Sequence, residues 1–385
     1  MNPATPRKSD PVEAPLGLVL AGGGARAAYQ VGVLHGIAER APHVRFPIVT
    51  GVSAGAINAG GLASGEGTLL DSVERLERAW RSISLRDVFD PTLLSIGGSL
   101  ARWGYMVLTR GSASLFEARS ILDTRPLKRT LTRYVDEEAL QRNVAAGRLT
   151  ALGITTTDYS NGRTVTFVQG LHDEAAWERA GRVGLAAEVT PDHVLASSAL
   201  PLVFPAVEIG GRHYGDGSIR QTAPLAPAIH LGAERLFVIS IRHADWKRAT
   251  GTPFRGYPPA AQVAGMLFNA VFMDAMEADI ERLQRVNRTL EAFPANVPHP
   301  ERLRVIDLQV MQPSRDLGRI AAENVDALPT TLRYILRGLG AHELSQSDLL
   351  SYLLFEPPYI RRLLELGRAD LHAQWDRLGP WFGEI

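Results

Sequence analysis

An apolar run that stops abruptly on three glycines constrains this chain more than any other feature. Leu16-Gly17-Leu18-Val19-Leu20-Ala21 leads into Gly22-Gly23-Gly24, and Ala28, Val31, Leu34 and Ala38 follow at helical spacing. A short run without polar alternation reads as a parallel strand buried on both faces, and the glycines as a tight turn into a covering helix. The pattern repeats at once: Phe46 to Thr50, then Gly51, then a small-residue helix from Ala54. Strand, helix, strand, helix in immediate succession predicts an α/β fold on a parallel sheet covered on both faces.

At 385 residues there is room for one large domain or two to three ordinary ones, and for a core that needs no disulfide or metal staple. The 41 basic and 41 acidic residues cancel, which argues against a nucleic-acid partner held by bulk charge. Cysteine is absent, so disulfides, thiolate metal sites and cysteine nucleophiles are excluded. The ten histidines show no H-E-x-x-H or paired ligand spacing, so no metal is expected, and no pattern calls for a cofactor. No segment approaches 18 uninterrupted apolar residues, and Leu16 to Ala21 is too short for a signal-peptide core. The expectation is a cytoplasmic protein, with peripheral contact at the inner membrane face left open.

Residues 1–15, rich in Pro, Ser and charge, read as a disordered leader. Between Arg81 and Phe116 the periodicity is poor, and a flap carrying Trp103, Tyr105, Met106, Leu108 and Phe116 is expected to gate an apolar channel. Hairpins are expected around Tyr159-Ser160-Asn161-Gly162 and around Gly210-Gly211. Thr190-Pro191-Asp192 opens a helix, and Arg235 to Ile241 is another buried strand. Residues 246–385 turn mainly helical. Met273, Met276, Ile280, Leu283, Val286 and Leu290 mark a core-facing stripe on a long helix, Leu303 to Val310 a late strand, and Leu328 to Leu339 and Asp348 to Leu366 further helices.

Three motifs carry chemistry. Gly51-Val52-Ser53-Ala54-Gly55 is G-x-S-x-G between a strand and a helix. That context lifts a serine Oγ above a sheet on a sharp turn, with Gly51 and Gly55 letting strand and helix close. A glycine-flanked packing turn would carry the same letters. Gly22-Gly23-Gly24-Ala25-Arg26 can aim backbone amides at an anion, as an oxyanion hole or as a phosphate cradle. A dinucleotide site is disfavoured, because the next strand ends in Thr50 rather than in an acid. Gly215-Asp216-Gly217-Ser218 is either a common turn or the place where Asp216 serves Ser53 as a base.

Together, and in this order, these motifs resemble the patatin-like phospholipase family. Ala196-Ser197-Ser198-Ala199-Leu200-Pro201, running on to Phe204-Pro205, adds to the match. The resemblance covers about residues 16–245, with 246–385 similar to the helical extension of bacterial members. It implies a three-layer α/β/α sandwich with a mostly parallel sheet, and a Ser–Asp dyad without histidine acting on phospholipid or lysophospholipid acyl esters. The family roles then fall on Ser53 as nucleophile and Asp216 as base. Gly22, Gly23, Gly24 and Ala54 would form the oxyanion hole, with Gly51, Gly55 and Gly217 in support. Arg26 would brace the glycine loop or meet a headgroup. Two positions depart from the pattern: Ser218 stands where Gly or Ala is usual, and Thr222 where many members carry Asn.

Two other readings fit the residues. His230 or His243 could complete a Ser–His–Asp triad, since both follow Asp216 in the chain. A lipid-binding protein with little turnover could also use the same fold. Oligomeric state and physiological role leave no trace in the sequence.

Overall fold

A computed structural model describes residues 14–90, 98, 120, 122–170, 177–245, 260–292, 303–330, 333 and 348–383. The expected leader, all of it but its last two residues, lies outside these. So do most of the expected flap, with all five of its named residues, and most of the expected helix near Leu328 to Leu339.

Among the described residues ten strands form one sheet: β1 (Leu16–Leu20), β2 (Ile48–Val52), β3 (Ala151–Asp158), β4 (Arg163–Gln169), β5 (Glu178–Arg179), β6 (Arg182–Ala186), β7 (Val207–Ile209), β8 (Arg212–Asp216), β9 (Arg235–Ile239) and β10 (Asp307–Met311). The order is β10-β9-β1-β2-β3-β4-β6-β5, and β8 pairs both β3 and β7. From β10 across to β3 every pairing is parallel, while the β3–β4 and β7–β8 hairpins are antiparallel. The central strands β1, β2, β3 and β9 are buried along their whole length because both of their faces are covered.

Alternate residues serve opposite faces. Leu18, Leu20, Val49, Leu152, Phe237 and Ile239 share one apolar layer with residues of α1 (Ala28–Arg40), α2 (Ala54–Ala63), α3 (Leu69–Ser82) and the helix Pro357–Ala373. Val19, Ile48, Ala151 and Val238 share the other with Ala228, Leu231, Met276, Ile280 and Leu283. The result is a three-layer α/β/α sandwich on a mixed, mostly parallel sheet.

Beyond 246 the described residues are mainly helical and are built into the same core. β10 extends the sheet beside β9, and Pro357–Ala373 lies against α1 so closely that a Cβ on Gly32 would collide with Leu364 O. The long helix runs from Ala260 to Glu291 with a π-helical turn at Ala270–Asp274, and it buries Met273, Met276, Ile280, Leu283 and Leu290. Three expectations shift, the first being the late strand, which begins at Asp307 rather than at Leu303. The second strand lies two residues later than its apolar pattern suggests, so that it runs directly into Ser53. The helix expected over Asp348 to Leu366 is two, Leu349–Leu353 and Pro357–Ala373. Consecutive prolines at 357 and 358 supply no N–H to an upstream helix and so begin a new one. No described helix is long and apolar enough to cross a membrane.

Candidate active site

One strand places Ser53 and Asp216 side by side. Val52, the last residue of β2, is registered with Thr155 of β3, and Asp216, the last residue of β8, with Thr156. The two shorter strands therefore meet end to end along the same edge of β3, and the residues at their tips become neighbours although 163 positions separate them in sequence. Thr157 Oγ1 fixes the second tip by donating to Asp216 O at 2.9 Å.

Ser53 turns the chain from β2 into α2 with φ 55° and ψ −131°, a left-handed conformation that costs a non-glycine residue about 1–3 kcal/mol. The flanking glycines make the turn fit. A Cβ on Gly51 would collide with Gly55 O, and one on Gly55 with Leu20 O and Ala21 O. Strand, turn and helix are in backbone contact here.

Asp216 is fully buried. Its Oδ1 accepts from Ser218 N at 2.8 Å, while Oδ2 has no hydrogen-bond partner among the described residues. Burial pushes its pKa up from 3.8 to about 6, and the Ser53 hydroxyl, the Ser218 N–H and the Ser218 hydroxyl pull it part of the way back. The Ser53 hydroxyl is thus close enough to act on the carboxylate, although no well-formed hydrogen bond reaches Oδ2. Gly217 lets the turn press on β3, since a Cβ there would strike Thr155 O.

The glycine loop closes the site from the β1 side. A Cβ on Gly22 would lie 2.9 Å from Ser53 Cβ, 2.7 Å from Ser218 Oγ and 2.9 Å from Phe272 Cδ1. Gly24 takes φ 54°, and a Cβ there would collide with Tyr352 O. Gly23 caps the 3₁₀ turn Gly24–Ala27, so the amides of Gly23, Gly24 and Ala25 precede its first internal bond, Arg26 N to Gly23 O. Ala54 opens α2, where a first-turn N–H likewise has no acceptor within the helix.

Arg26 does not face a headgroup. Buried at 3% exposure, it donates to Ser351 Oγ (2.7 Å), Asp348 Oδ1 (2.8 Å) and Met273 Sδ (3.4 Å), with its guanidinium 4.3 Å from the Tyr352 ring centre. It ties the glycine loop to the C-terminal helices.

Residues without an assigned role in the sequence hold the elbow. Ser197 Oγ accepts from Ser53 N at 2.9 Å and donates to Thr155 O at 2.6 Å; Ser198 Oγ donates to Ser53 O at 3.1 Å; Ala199 O accepts from Asp216 N at 2.8 Å. Three consecutive residues thus bridge the two tips. They lie within the Ala196–Pro201 motif, but nothing in a Ser-Ser pair at a helix end announces which backbone it grips.

From Ser53 an apolar cleft runs outward, with about 840 Å³ of empty space counting the part open to solvent. Ile57, Leu76, Trp80 and Leu131 form one wall. Phe268, Phe272, Tyr352 and Phe355 form another, from the segment read in sequence only as helical core.

Neither histidine joins the pair. His230 stacks on Trp177 with ring centres 5.0 Å apart, against the apolar layer on the opposite face of the sheet. Burial, then nearby arginines, lowers its pKa. Half-buried His243 pairs with Ser314 O. Among the described residues no cluster of three His, Asp or Glu side chains could hold a metal ion.

Comparison with known proteins now bears on this geometry. Solved structures that resemble the chain include VipD from Legionella pneumophila (14% identity over 91% of this chain and 67% of that one, TM-score 0.35). Others are human GIVD cytosolic phospholipase A2 (13%, 97% and 59%, 0.42) and the type III effector ExoU of Pseudomonas aeruginosa (17%, 96% and 77%, 0.29). No curated protein sequence matches the chain significantly. The sequence pattern of the patatin-like phospholipases spans residues 18–229, more than half of the chain and all of the motifs above. The chain belongs to the patatin-like phospholipase family.

Proposed function

We propose that this protein is a serine acyl hydrolase that cleaves fatty acyl esters of phospholipids or lysophospholipids through a Ser53–Asp216 dyad. The observation that carries the reading is the buried Asp216 carboxylate, its pKa raised to about 6, beside the Ser53 hydroxyl at the inner end of an apolar cleft. At neutral pH such a carboxylate is ionised yet basic enough to take a proton from a hydroxyl that attacks an ester.

Ser53 Oγ attacks the acyl carbon while its proton passes to Asp216. The amides of Gly23, Gly24 and Ala54 receive the developing oxyanion. The bond to the leaving alcohol breaks, and that oxygen takes the proton from Asp216. Water then attacks the acyl-serine, gives its proton to Asp216, and the fatty acid leaves as Ser53 Oγ recovers the proton. One amide donor to an oxyanion is worth roughly 3–4 kcal/mol of barrier. The cleft is suited to an acyl chain. Leu202 (64%), Met266 (66%) and Leu267 (62%), each within two residues of cleft-lining Leu200, Phe204 or Phe268, are exposed apolar groups of the kind that meet a lipid surface.

The test is mass spectrometry of products from mixed bacterial lipids. Wild type releases free fatty acid, and Ser53→Ala releases none while still folding. A folded wild type that binds lipid without releasing acid would favour the lipid-binding alternative.

A further inference from the structure

The long helix from Ala260 to Glu291 changes layers along its length. Phe272 and Met273 pack in the layer of α1 and α2, whereas Met276, Ile280 and Leu283 pack in the layer on the other face of the sheet. The π-helical turn Ala270–Asp274 falls at the crossing. Its wider turn offsets the faces before and after it, and such turns are frequent at functional sites. Here it brings Phe272 to the nucleophile. Phe272 Cδ1 and Ser53 Cβ each lie 2.9 Å from one point, the place where a Cβ on Gly22 would stand, and both residues line the apolar cleft. The ring is held on several sides. It is 6% exposed, lies against Gly22, stacks on Tyr352 with ring centres 5.3 Å apart, and has the Phe268 ring at 5.8 Å. Tyr352 is fixed in turn, its hydroxyl donating to Asn269 Oδ1 at 2.8 Å.

We propose that Phe272 selects acyl groups by the width of their α-carbon, so that the esters cleaved are those of fatty acids unbranched beside the carboxyl group. This rests on the Ser53–Asp216 reading. In the tetrahedral intermediate the acyl carbon bonded to Ser53 Oγ carries the oxyanion, the leaving alcohol and the α-carbon. The oxyanion faces the loop amides and the alcohol departs, so the α-carbon is the group that continues into the cleft. With the Phe272 ring bordering the cleft at Ser53, an α-methylene passes and an α-methyl branch meets the ring. A ring packed on both sides cannot yield without disturbing its neighbours. Phe272 makes and breaks no bond; it sets which substrate fits. It lies beyond residues 18–229, so this selection belongs to the C-terminal helices and not to the family pattern.

The test compares kcat/KM for p-nitrophenyl 2-methylhexanoate with that for p-nitrophenyl hexanoate, on wild type, Phe272→Ala and Phe272→Leu. The ratio is taken within one enzyme preparation, so a loss of folded protein or of overall rate cancels. The intrinsic reactivities of the two esters cancel between variants. In Phe272→Ala the ratio of branched to straight should rise at least about tenfold, the scale set by one methyl group in an apolar pocket. Phe272→Leu, which keeps a large apolar side chain for the core, should shift it in the same direction by less. A second ratio, methylumbelliferyl hexanoate against p-nitrophenyl hexanoate, varies only the alcohol and should stay at its wild-type value. A branched-to-straight ratio unchanged in both variants overturns the proposal. So does a change in the alcohol ratio alone, since Phe272 would then face the leaving group. Failure of a fluorophosphonate to label wild type at Ser53 would instead overturn the dyad reading itself.

Discussion

Replacing Asp216 by asparagine should stabilise the fold at neutral pH while it removes activity. The folded protein takes up the Asp216 proton near pH 6, and an unfolded chain near 3.8. Between these values the folded state binds more protons, so the stability this group contributes is complete below about pH 4 and is lost as pH rises through 6. Above that point the buried charge costs roughly 3 kcal/mol, from a shift of about two pKa units at about 1.4 kcal/mol each. Asparagine has the same shape, keeps an oxygen for the Ser218 N–H and cannot ionise, so it escapes the cost. Urea unfolding of wild type and Asp216→Asn should be compared at half-unit steps from pH 4 to pH 8. The variant should gain on wild type progressively between pH 4 and 7, reaching an advantage of about 3 kcal/mol at pH 8. An advantage that does not change with pH, or a variant less stable than wild type at pH 8, would refute the claim that burial raises the carboxylate.

Other substitutions probe the supports of the site. Gly55→Ala sets a methyl group against the carbonyls of Leu20 and Ala21 and should cost about 1–3 kcal/mol in thermal or urea unfolding, with loss of turnover. Ser197→Ala strips the buried Ser53 N–H and Thr155 carbonyl of a shared partner. Stability should fall by about 1–3 kcal/mol, and turnover about ten- to a hundredfold as Ser53 loses its fixed position. Ala79→Trp, on the cleft wall, should raise KM for long-chain esters and spare short ones, which a series of nitrophenyl esters from C4 to C16 would measure. The kcat/KM for a short ester should rise with pH along a limb centred near 6.

Much of this arrangement is legible in the sequence because glycine marks backbone contact and an unbroken apolar run marks a strand with two covered faces. Gly22, Gly51, Gly55 and Gly217 each stand where a side chain would overlap its neighbours, and the motifs built on them point to Ser53 and Asp216 before any coordinates exist. Pairings across long stretches of chain are not legible. That β3 sets Val52 and Asp216 on adjacent residues, or that Ser197, Ser198 and Ala199 clasp both tips, depends on register, which local periodicity does not encode. The second strand shows the limit: Phe46 is buried like a strand residue yet precedes it, while Gly51 and Val52 belong to it. Arg26 shows the same limit: the sequence leaves open whether it braces the glycine loop or meets a headgroup, because the partners that hold it in the bracing position, Asp348 and Ser351, lie more than 320 residues away.

The most direct measurement is the rate at which a fluorophosphonate modifies the protein as a function of pH, with the adduct located by peptide mass spectrometry. The account predicts a single adduct on Ser53, a rate that climbs through a midpoint near pH 6, and a loss of at least a hundredfold in Asp216→Asn (roughly 3 kcal/mol of barrier). Modification of Ser53 at an undiminished rate in Asp216→Asn would contradict it, as would an adduct on another residue.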